Sequence, residues 1–193
     1  TSPQLESTLN KINKELLGGK KIDILGFDAC LMAGAEIASL SKESSKYLLA
    51  SEEVAPGRGW NYELMFKKFK ENKTSPEQFS PKIISQMLVK EYQKEYEETH
   101  PKFTLSAVDL SDFAAAEVAI EKLTGKIRSM ISSKKGKELV KLIKEIRKSR
   151  RLTTTFHDTN YIDLLHFVQS LKESLPKITK YFESQQASEL KCL

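Results

Sequence analysis

The sequence has few of the residues and runs that mark several classes of protein. It contains two cysteines, Cys30 and Cys192, which is too few for a scaffold stabilised by several disulfides. No apolar run approaches the roughly 20 residues that a transmembrane helix needs, so we expect no membrane span. Internal repeats and low-complexity linkers are also missing. With 39% hydrophobic residues and a net charge of +5, the composition is that of a globular protein with one sizeable core.

One stretch combines a buried strand with a nucleophilic side chain. The apolar run Ile22 to Phe27 predicts a strand, and Ala33 to Ser41 has helical spacing. Cys30 falls in the turn between them, where the free N–H groups of a helix N-terminus stabilise a thiolate. Asp28 stands beside the same strand end. A lone cysteine in an apolar setting is more often buried and inert, so the local pattern leaves both interpretations open.

Three segments around this stretch resemble a known family: Gly26 to Ala33, Ala50 to Glu53, and Pro56 to Tyr62. They are similar to the nucleophile region of the clostripain family of cysteine peptidases, which belongs with the caspases, legumains and gingipains. The resemblance implies a caspase-like α/β fold with a mainly parallel central sheet flanked by helices. It also implies a Cys-His dyad that cleaves after Arg or Lys.

The resemblance assigns roles to individual residues. By position in the motifs, Cys30 is the nucleophile and Asp28 is a carboxylate of an acidic S1 pocket. Glu52 is a candidate for a second pocket carboxylate. Arg58 departs from this pattern, because a basic side chain in the cleft loop opposes a basic P1 residue unless it points to solvent. Some family members depend on calcium, but no dense Asp/Asn/Gly loop is visible here, so we predict no metal site and no cofactor. The family also implies a secreted or cell-envelope location of bacterial type.

Histidine is scarce, and its positions do not complete the dyad. His100, His157 and His166 all follow Cys30, whereas the dyad histidine of the resembled family precedes the cysteine. Only His157, in a predicted loop, is an internal candidate. A helix over residues 2–17 followed by an apolar strand is also the second half of a βαβ crossover. We therefore predict that the sheet is incomplete without an upstream chain of the same precursor, which carries the histidine and stays associated after proteolytic maturation.

The remaining elements follow from hydrophobic periodicity and from the residues at helix starts. We predict strands over residues 47–51 and 103–110, and helices over 61–70, 81–98, 111–132, 138–151, 161–175 and 176–186, with a further helix start at 74–76. Asn61, Ser80 and Ser111 are the expected N-caps, and Pro176 is expected to separate the last two helices. The prediction is one caspase-like peptidase domain over 1–193. Within it, 1–60 form the nucleophile and S1 region, and 61–193 form a helical remainder with one more strand.

Two features admit more than one interpretation. Trp60 lies in a loop rich in Pro and Gly, and it either packs on the core or forms a wall of the substrate cleft. The helix that follows Gly136 carries a face of seven basic residues, namely Lys137, Lys141, Lys144, Arg147, Lys148, Arg150 and Arg151. Because no aromatic residues are interleaved with them, we interpret this face as solvated and predict no nucleic-acid partner.

The function predicted from the resemblance is that of a cysteine endopeptidase acting on peptides or proteins with Arg or Lys at P1. This chain would be the Cys-bearing part of a two-chain enzyme. The alternative is a non-catalytic caspase-like module that binds other proteins through its surface.

Overall fold

The computed structural model describes residues 2–71, 79–100, 102–133, 136–158 and 160–179. These ranges contain the strands β1 (Ile22–Gly26), β2 (Ser45–Ala50) and β3 (Ser106–Asp109). The helices are α1 (Ser2–Glu15), α2 (Ala35–Ser41), α3 (Tyr62–Glu71), α4 (Pro81–Tyr96), α5 (Phe113–Ile131), α6 (Gly136–Lys148) and α7 (Leu164–Thr179). The chain divides into two compact units, Thr1–Ala116 and Glu117–Leu193, and the single peptidase domain stays a prediction.

The first unit contains a three-stranded sheet with β2 at its centre. β1 pairs with β2 in parallel, with Leu25 opposite Leu48, and β2 pairs with β3 antiparallel, with Leu48 opposite Val108. Leu48, Leu49 and Ala50 are 0% exposed, as expected for the apolar run of a central strand. The predicted α/β class is confirmed, and the described strands form one parallel and one antiparallel pair.

Helix α2 connects β1 to β2 and supplies part of the core of the first unit. Ile37 and Ala38 of α2 join Leu48 and Ala50 of β2 in one buried cluster. Because β1 and β2 are parallel, their carboxyl ends meet at the same edge of the sheet. The loops that follow the two strands are therefore neighbours.

The second unit is built on apolar helix faces. Its buried cluster contains Leu123 and Met130 of α5, Leu139 and Ile146 of α6, and Leu171 of α7. Leu139 is 1% exposed and Ile146 is 0% exposed. The opposite face of α6 is charged and exposed, which is the pattern of an amphipathic helix packed against a core.

Two predicted helix caps are confirmed. The Asn61 side chain accepts a hydrogen bond from the Leu64 N–H at 3.0 Å, and the Ser80 hydroxyl oxygen accepts one from the Ile83 N–H at 3.3 Å. Each satisfies an N–H group in the first turn of its helix. The predicted helix start at 74–76 lies outside the described residues.

Two predicted boundaries are wrong. Ser111 does not cap α5, because its N–H and its hydroxyl both donate to Asp109 Oδ1, at 3.0 Å and 2.7 Å, and the helix begins only at Phe113. Helix α7 begins at Leu164 and continues through Pro176. A proline removes one hydrogen bond from a helix, and here that loss does not end it.

Candidate active site

Cys30 lies in the loop that joins β1 to α2, at the edge where β1 and β2 end. The Phe27 N–H donates to the Leu49 carbonyl at 2.9 Å, and the Ala33 N–H donates to the Ser51 carbonyl at 3.0 Å. The loop therefore runs beside the segment that follows β2. The Cys30 side chain is exposed, which does not fit the interpretation of a buried, inert thiol. Reactive groups of α/β sheets gather at such strand ends.

The predicted contact of Cys30 with a helix N-terminus is wrong. Helix α2 begins at Ala35 rather than Ala33, and Gly34 in extended conformation precedes it, so Cys30 lies five residues before the helix. A backbone amide of another loop approaches the thiol instead, because the Ala55 N–H donates to Cys30 Sγ at 3.3 Å. Sequence analysis missed Ala55, since no residue pattern indicates how the loop after β2 returns to Cys30.

The residue after Cys30 has an unusual backbone conformation. Leu31 has a φ of 59°, and no other non-glycine residue in the described ranges has a positive φ. A left-handed conformation costs such a residue about 1 kcal/mol or more. The Leu31 N–H donates to the Glu53 carbonyl at 3.2 Å, and this bond helps to fix the turn. Strain of this kind is found mainly at functional sites.

The Asp28 carboxylate connects the end of β1 to the loop before α3. Its Oδ2 accepts hydrogen bonds from the Trp60 N–H at 3.1 Å and from the Tyr62 hydroxyl at 2.9 Å. Burial and the hydrogen bond to Asp28 raise the pKa of Tyr62. Asp28 therefore orients this loop, and its role as a pocket carboxylate stays a prediction.

Gly59 allows the loop to approach Asp28 closely. Its φ is 65°, and a Cβ atom at this position would lie 2.5 Å from Asp28 Oδ2. Both the conformation and the space therefore require glycine. On its other side the Gly59 carbonyl accepts a hydrogen bond from the Tyr96 hydroxyl of α4 at 2.6 Å.

Trp60 packs directly on the end of β1. A Cβ atom at Gly26 would lie 2.7 Å from Trp60 Cη2, so the indole occupies the space that a side chain would need. The Trp60 and Tyr62 rings are also neighbours, with centroids 6.3 Å apart. Trp60 thus packs on the end of β1 and is half-buried. It is not part of either buried cluster, and its role as a cleft wall stays a prediction.

Tyr92 of α4 is a buried polar neighbour of the same region. It is 6% exposed, and its ring lies 4.8 Å from that of Tyr96. Burial, followed by electrostatic interactions with Tyr96, Asp28 and Cys30, raises the pKa of Tyr92 to about 12. The hydroxyl is therefore protonated at neutral pH.

Glu52 contacts β3 and the residues just before it. The Ser106 hydroxyl donates to Glu52 Oε1 at 2.6 Å, and the Glu52 N–H donates to the Thr104 hydroxyl oxygen at 3.0 Å. The Glu52 side chain is half-buried. These bonds hold the first residues after β2 against the third strand, and the role of Glu52 in a pocket stays a prediction.

The three histidines lie in different surroundings. His100 contacts the Thr99 hydroxyl through Nδ1 at 2.9 Å, and His166 Nδ1 accepts from the Thr154 N–H at 3.1 Å. His157 is exposed in the second unit. Neither these contacts nor the fold test the prediction that the dyad histidine lies on an upstream chain. Within the described ranges, no group of three or more His, Cys, Asp or Glu side chains is arranged to hold a metal ion.

The fold and this loop define an α/β protein with an exposed thiol at the carboxyl end of a parallel strand. The sequence matches the model of the Clostripain family, peptidase C11, over residues 4–190, and the chain belongs to this family of cysteine peptidases. The family predicted from the residues around Cys30 is confirmed. None of the curated proteins matches the chain significantly.

Solved structures show the same fold. A secreted C11 cysteine protease from Bacteroides thetaiotaomicron, in complex with an irreversible peptide inhibitor, is 17% identical with a TM-score of 0.53, over 89% of this chain and 42% of that one. An inactive zymogen of a C11 protease from Parabacteroides distasonis is also 17% identical, with a TM-score of 0.51, over 90% of this chain and 45% of that one. The chain thus spans less than half the length of these two proteins.

Proposed function

We propose that this chain carries the nucleophile of a cysteine endopeptidase that cleaves after Arg or Lys. The observation that supports it best is the exposed Cys30 thiol, which lies directly before the left-handed Leu31 and accepts a hydrogen bond from the Ala55 N–H at 3.3 Å. The amide holds the sulfur at the loop surface, and the thiolate of a cysteine is the nucleophilic form. Membership of the Clostripain family supports the same chemistry.

In the proposed reaction the Cys30 thiolate attacks the carbonyl carbon of the scissile peptide bond. A histidine takes the thiol proton and returns it to the leaving amine, which leaves a thioester that water then hydrolyses. Among the described residues nothing accepts from the Cys30 N–H, so this amide is free to donate to the oxyanion. The histidine is proposed to come from an upstream chain of the same precursor, separated by proteolytic maturation.

The proposed P1 contact is with Asp28. Its Oδ2 already accepts two hydrogen bonds, which fills the capacity of that oxygen. A P1 cation would therefore bind mainly through Oδ1, in a single contact rather than a bidentate one. Glu52 is proposed as a second pocket carboxylate. The location proposed from the family is secreted or cell-envelope, and no cofactor is proposed.

The test is covalent labelling of the full precursor with an Arg chloromethyl ketone, followed by intact-mass and peptide analysis. We expect one adduct, on Cys30, and none in the Cys30→Ala variant. The Cys192→Ala variant is the matched control and should be labelled like wild type. If neither wild type nor the control is labelled while the upstream segment is present, the chain is a non-catalytic module and the proposal is wrong.

A further inference from the structure

The net charge of the chain is concentrated in one short segment of the second unit. Residues 136–151 contain seven basic and two acidic side chains, a net charge of +5. The other 177 residues contain 24 basic and 24 acidic side chains and are neutral overall. The basic character of this protein therefore belongs to α6 and to the three residues that follow it.

Four of these cations form a straight row on α6. Lys137, Lys141, Lys144 and Lys148 are separated by four, three and four residues, which places them on one narrow sector of the helix over about 16 Å. All four are exposed, and with Val140 and Glu145 they line a shallow surface groove of about 310 Å³. We define the α6 basic face as these four lysines with Arg147, Arg150 and Arg151.

The α6 basic face has no partner among the described residues. None of its seven side chains forms an ion pair or a hydrogen bond within those ranges. A helix that is merely solvated commonly carries alternating charges that pair along its surface. Here Glu138 and Glu145 form no ion pair with the neighbouring lysines. Glu145 lies in the same groove, so the positive charge of the face is offset only in part.

The structure also limits what kind of partner this face can bind. The apolar side of α6 is committed to the core of the second unit through Leu139 and Ile146, so the helix cannot insert into a bilayer. Residues 136–151 contain no aromatic, Asn or Gln side chain. The face therefore offers no aromatic ring that stacks on bases and no amide that reads their edges, and its polar groups are cations. Recognition by this face therefore rests mainly on charge.

We propose that the α6 basic face binds the surface of a bilayer that contains anionic phospholipid. Clusters of four to eight Lys and Arg residues on an amphipathic helix are typical of such binding. The four lysines lie in one row, so all can approach a flat surface at once. Lysine also suits diffuse attraction to phosphate, because its ammonium is a point charge rather than a bidentate fork. The association is peripheral, since no described helix is both long and apolar enough to cross a bilayer.

The test is cosedimentation of the full-length protein with vesicles of phosphatidylglycerol and phosphatidylcholine at low salt. We expect binding that is lost in 0.5 M salt and on pure phosphatidylcholine. Replacing Lys137, Lys141, Lys144 and Lys148 by Gln should weaken binding about fivefold per lysine, hence at least about a hundredfold. The quadruple Lys→Arg variant should still bind.

A second quadruple variant is the matched control. Gln at the exposed Lys11, Lys14, Lys82 and Lys90 removes the same charge from the first unit and should leave vesicle binding within about twofold of wild type. Equal losses in the two quadruple Gln variants would overturn the proposal. So would retention of the protein by duplex DNA or heparin without binding to anionic vesicles, because the partner would then be a different polyanion.

Discussion

The first unit, Thr1–Ala116, carries 15 basic and 17 acidic side chains, a net charge of −2. The second unit, Glu117–Leu193, carries 16 basic and 9 acidic side chains, a net charge of +7. The two units also differ in how their described parts are held. The loops around Cys30 depend on hydrogen bonds to Asp28 and Gly59 and on a left-handed Leu31. The second unit depends on a cluster of apolar side chains from three helices.

The two kinds of interaction contribute differently to local geometry and to overall stability. A hydrogen bond fixes distance and angle, but its net contribution to stability is only about 1 kcal/mol. Apolar burial contributes more free energy per side chain and imposes little direction. Changes in the second unit should therefore act on stability, and changes in the loops of the first unit should act on chemistry.

The largest expected effect is on stability, in the second unit. Leu139 is 1% exposed, and Leu139→Ala should lower the free energy of unfolding by about 2 to 5 kcal/mol, because it removes packed methyl groups and leaves a cavity. Urea unfolding measures this change. Leu165→Ala, at a leucine that is 67% exposed on α7, is the control and should change little. Under native conditions, Cys30 should be alkylated by iodoacetamide at the same rate in Leu139→Ala as in wild type. A slower rate in the variant would show that changes in the second unit also affect the chemistry of the first.

The next effect concerns the loop beside Asp28. Gly59→Ala should disturb it, because a Cβ atom would meet Asp28 at 2.5 Å and the φ of 65° is strained for alanine. We expect the free energy of unfolding to fall by about 1 to 3 kcal/mol and the rate of peptide cleavage to fall more than tenfold. Gly57→Ala is the control, since a Cβ atom there meets nothing within 4 Å. If Gly59→Ala cleaves peptides with wild-type kinetics, the close approach of Gly59 to Asp28 is not needed for activity.

A smaller and more specific effect is expected at Asp28. Asp28→Asn removes the negative charge and keeps the shape, so kcat/KM for an Arg substrate should fall at least about tenfold, while a matched Gln substrate is barely affected. Asp23→Asn is the control on the preceding strand β1, where Asp23 pairs with Lys46 at 2.6 Å. An unchanged ratio of Arg to Gln cleavage would remove Asp28 from the pocket. In the wild-type protein, Arg and Lys should be cleaved at similar rates, because only one oxygen of Asp28 is available.

The smallest effect is expected at Tyr96. Tyr96→Phe removes the hydrogen bond to the Gly59 carbonyl. The free energy of unfolding should therefore fall by about 0.5 to 1.5 kcal/mol. KM should rise more than kcat falls, since the loop is displaced while Cys30 is untouched. Steady-state kinetics separate the two constants. A fall in kcat alone would place Tyr96 closer to the chemistry than the loop explanation allows.

The elements that sequence analysis predicted well are those with local causes. Asn61 and Ser80 cap their helices through N–H groups three residues ahead, so the local pattern was sufficient. β1 follows from its apolar run in the same way. The continuation of α7 through Pro176 was not predicted, because a strong local rule was outweighed by the rest of the helix.

The candidate site was predictable only in part, for a related reason. The motif around Cys30 and Asp28 identified the family, but the partners of Asp28 lie 32 and 34 residues away, at Trp60 and Tyr62. The amide that approaches the thiol, at Ala55, is likewise 25 residues from Cys30. Such pairs depend on loop conformations that no periodicity encodes.

The contact between Trp60 and Gly26 has a practical consequence for spectroscopy. Trp60 is the only tryptophan in the sequence, and its indole lies on the end of β1, beside the loop that carries Asp28 and Cys30. Fluorescence excited at a wavelength that tyrosine does not absorb therefore comes from this one ring. Occupancy of the loop region, or its displacement, changes the emission with no label attached.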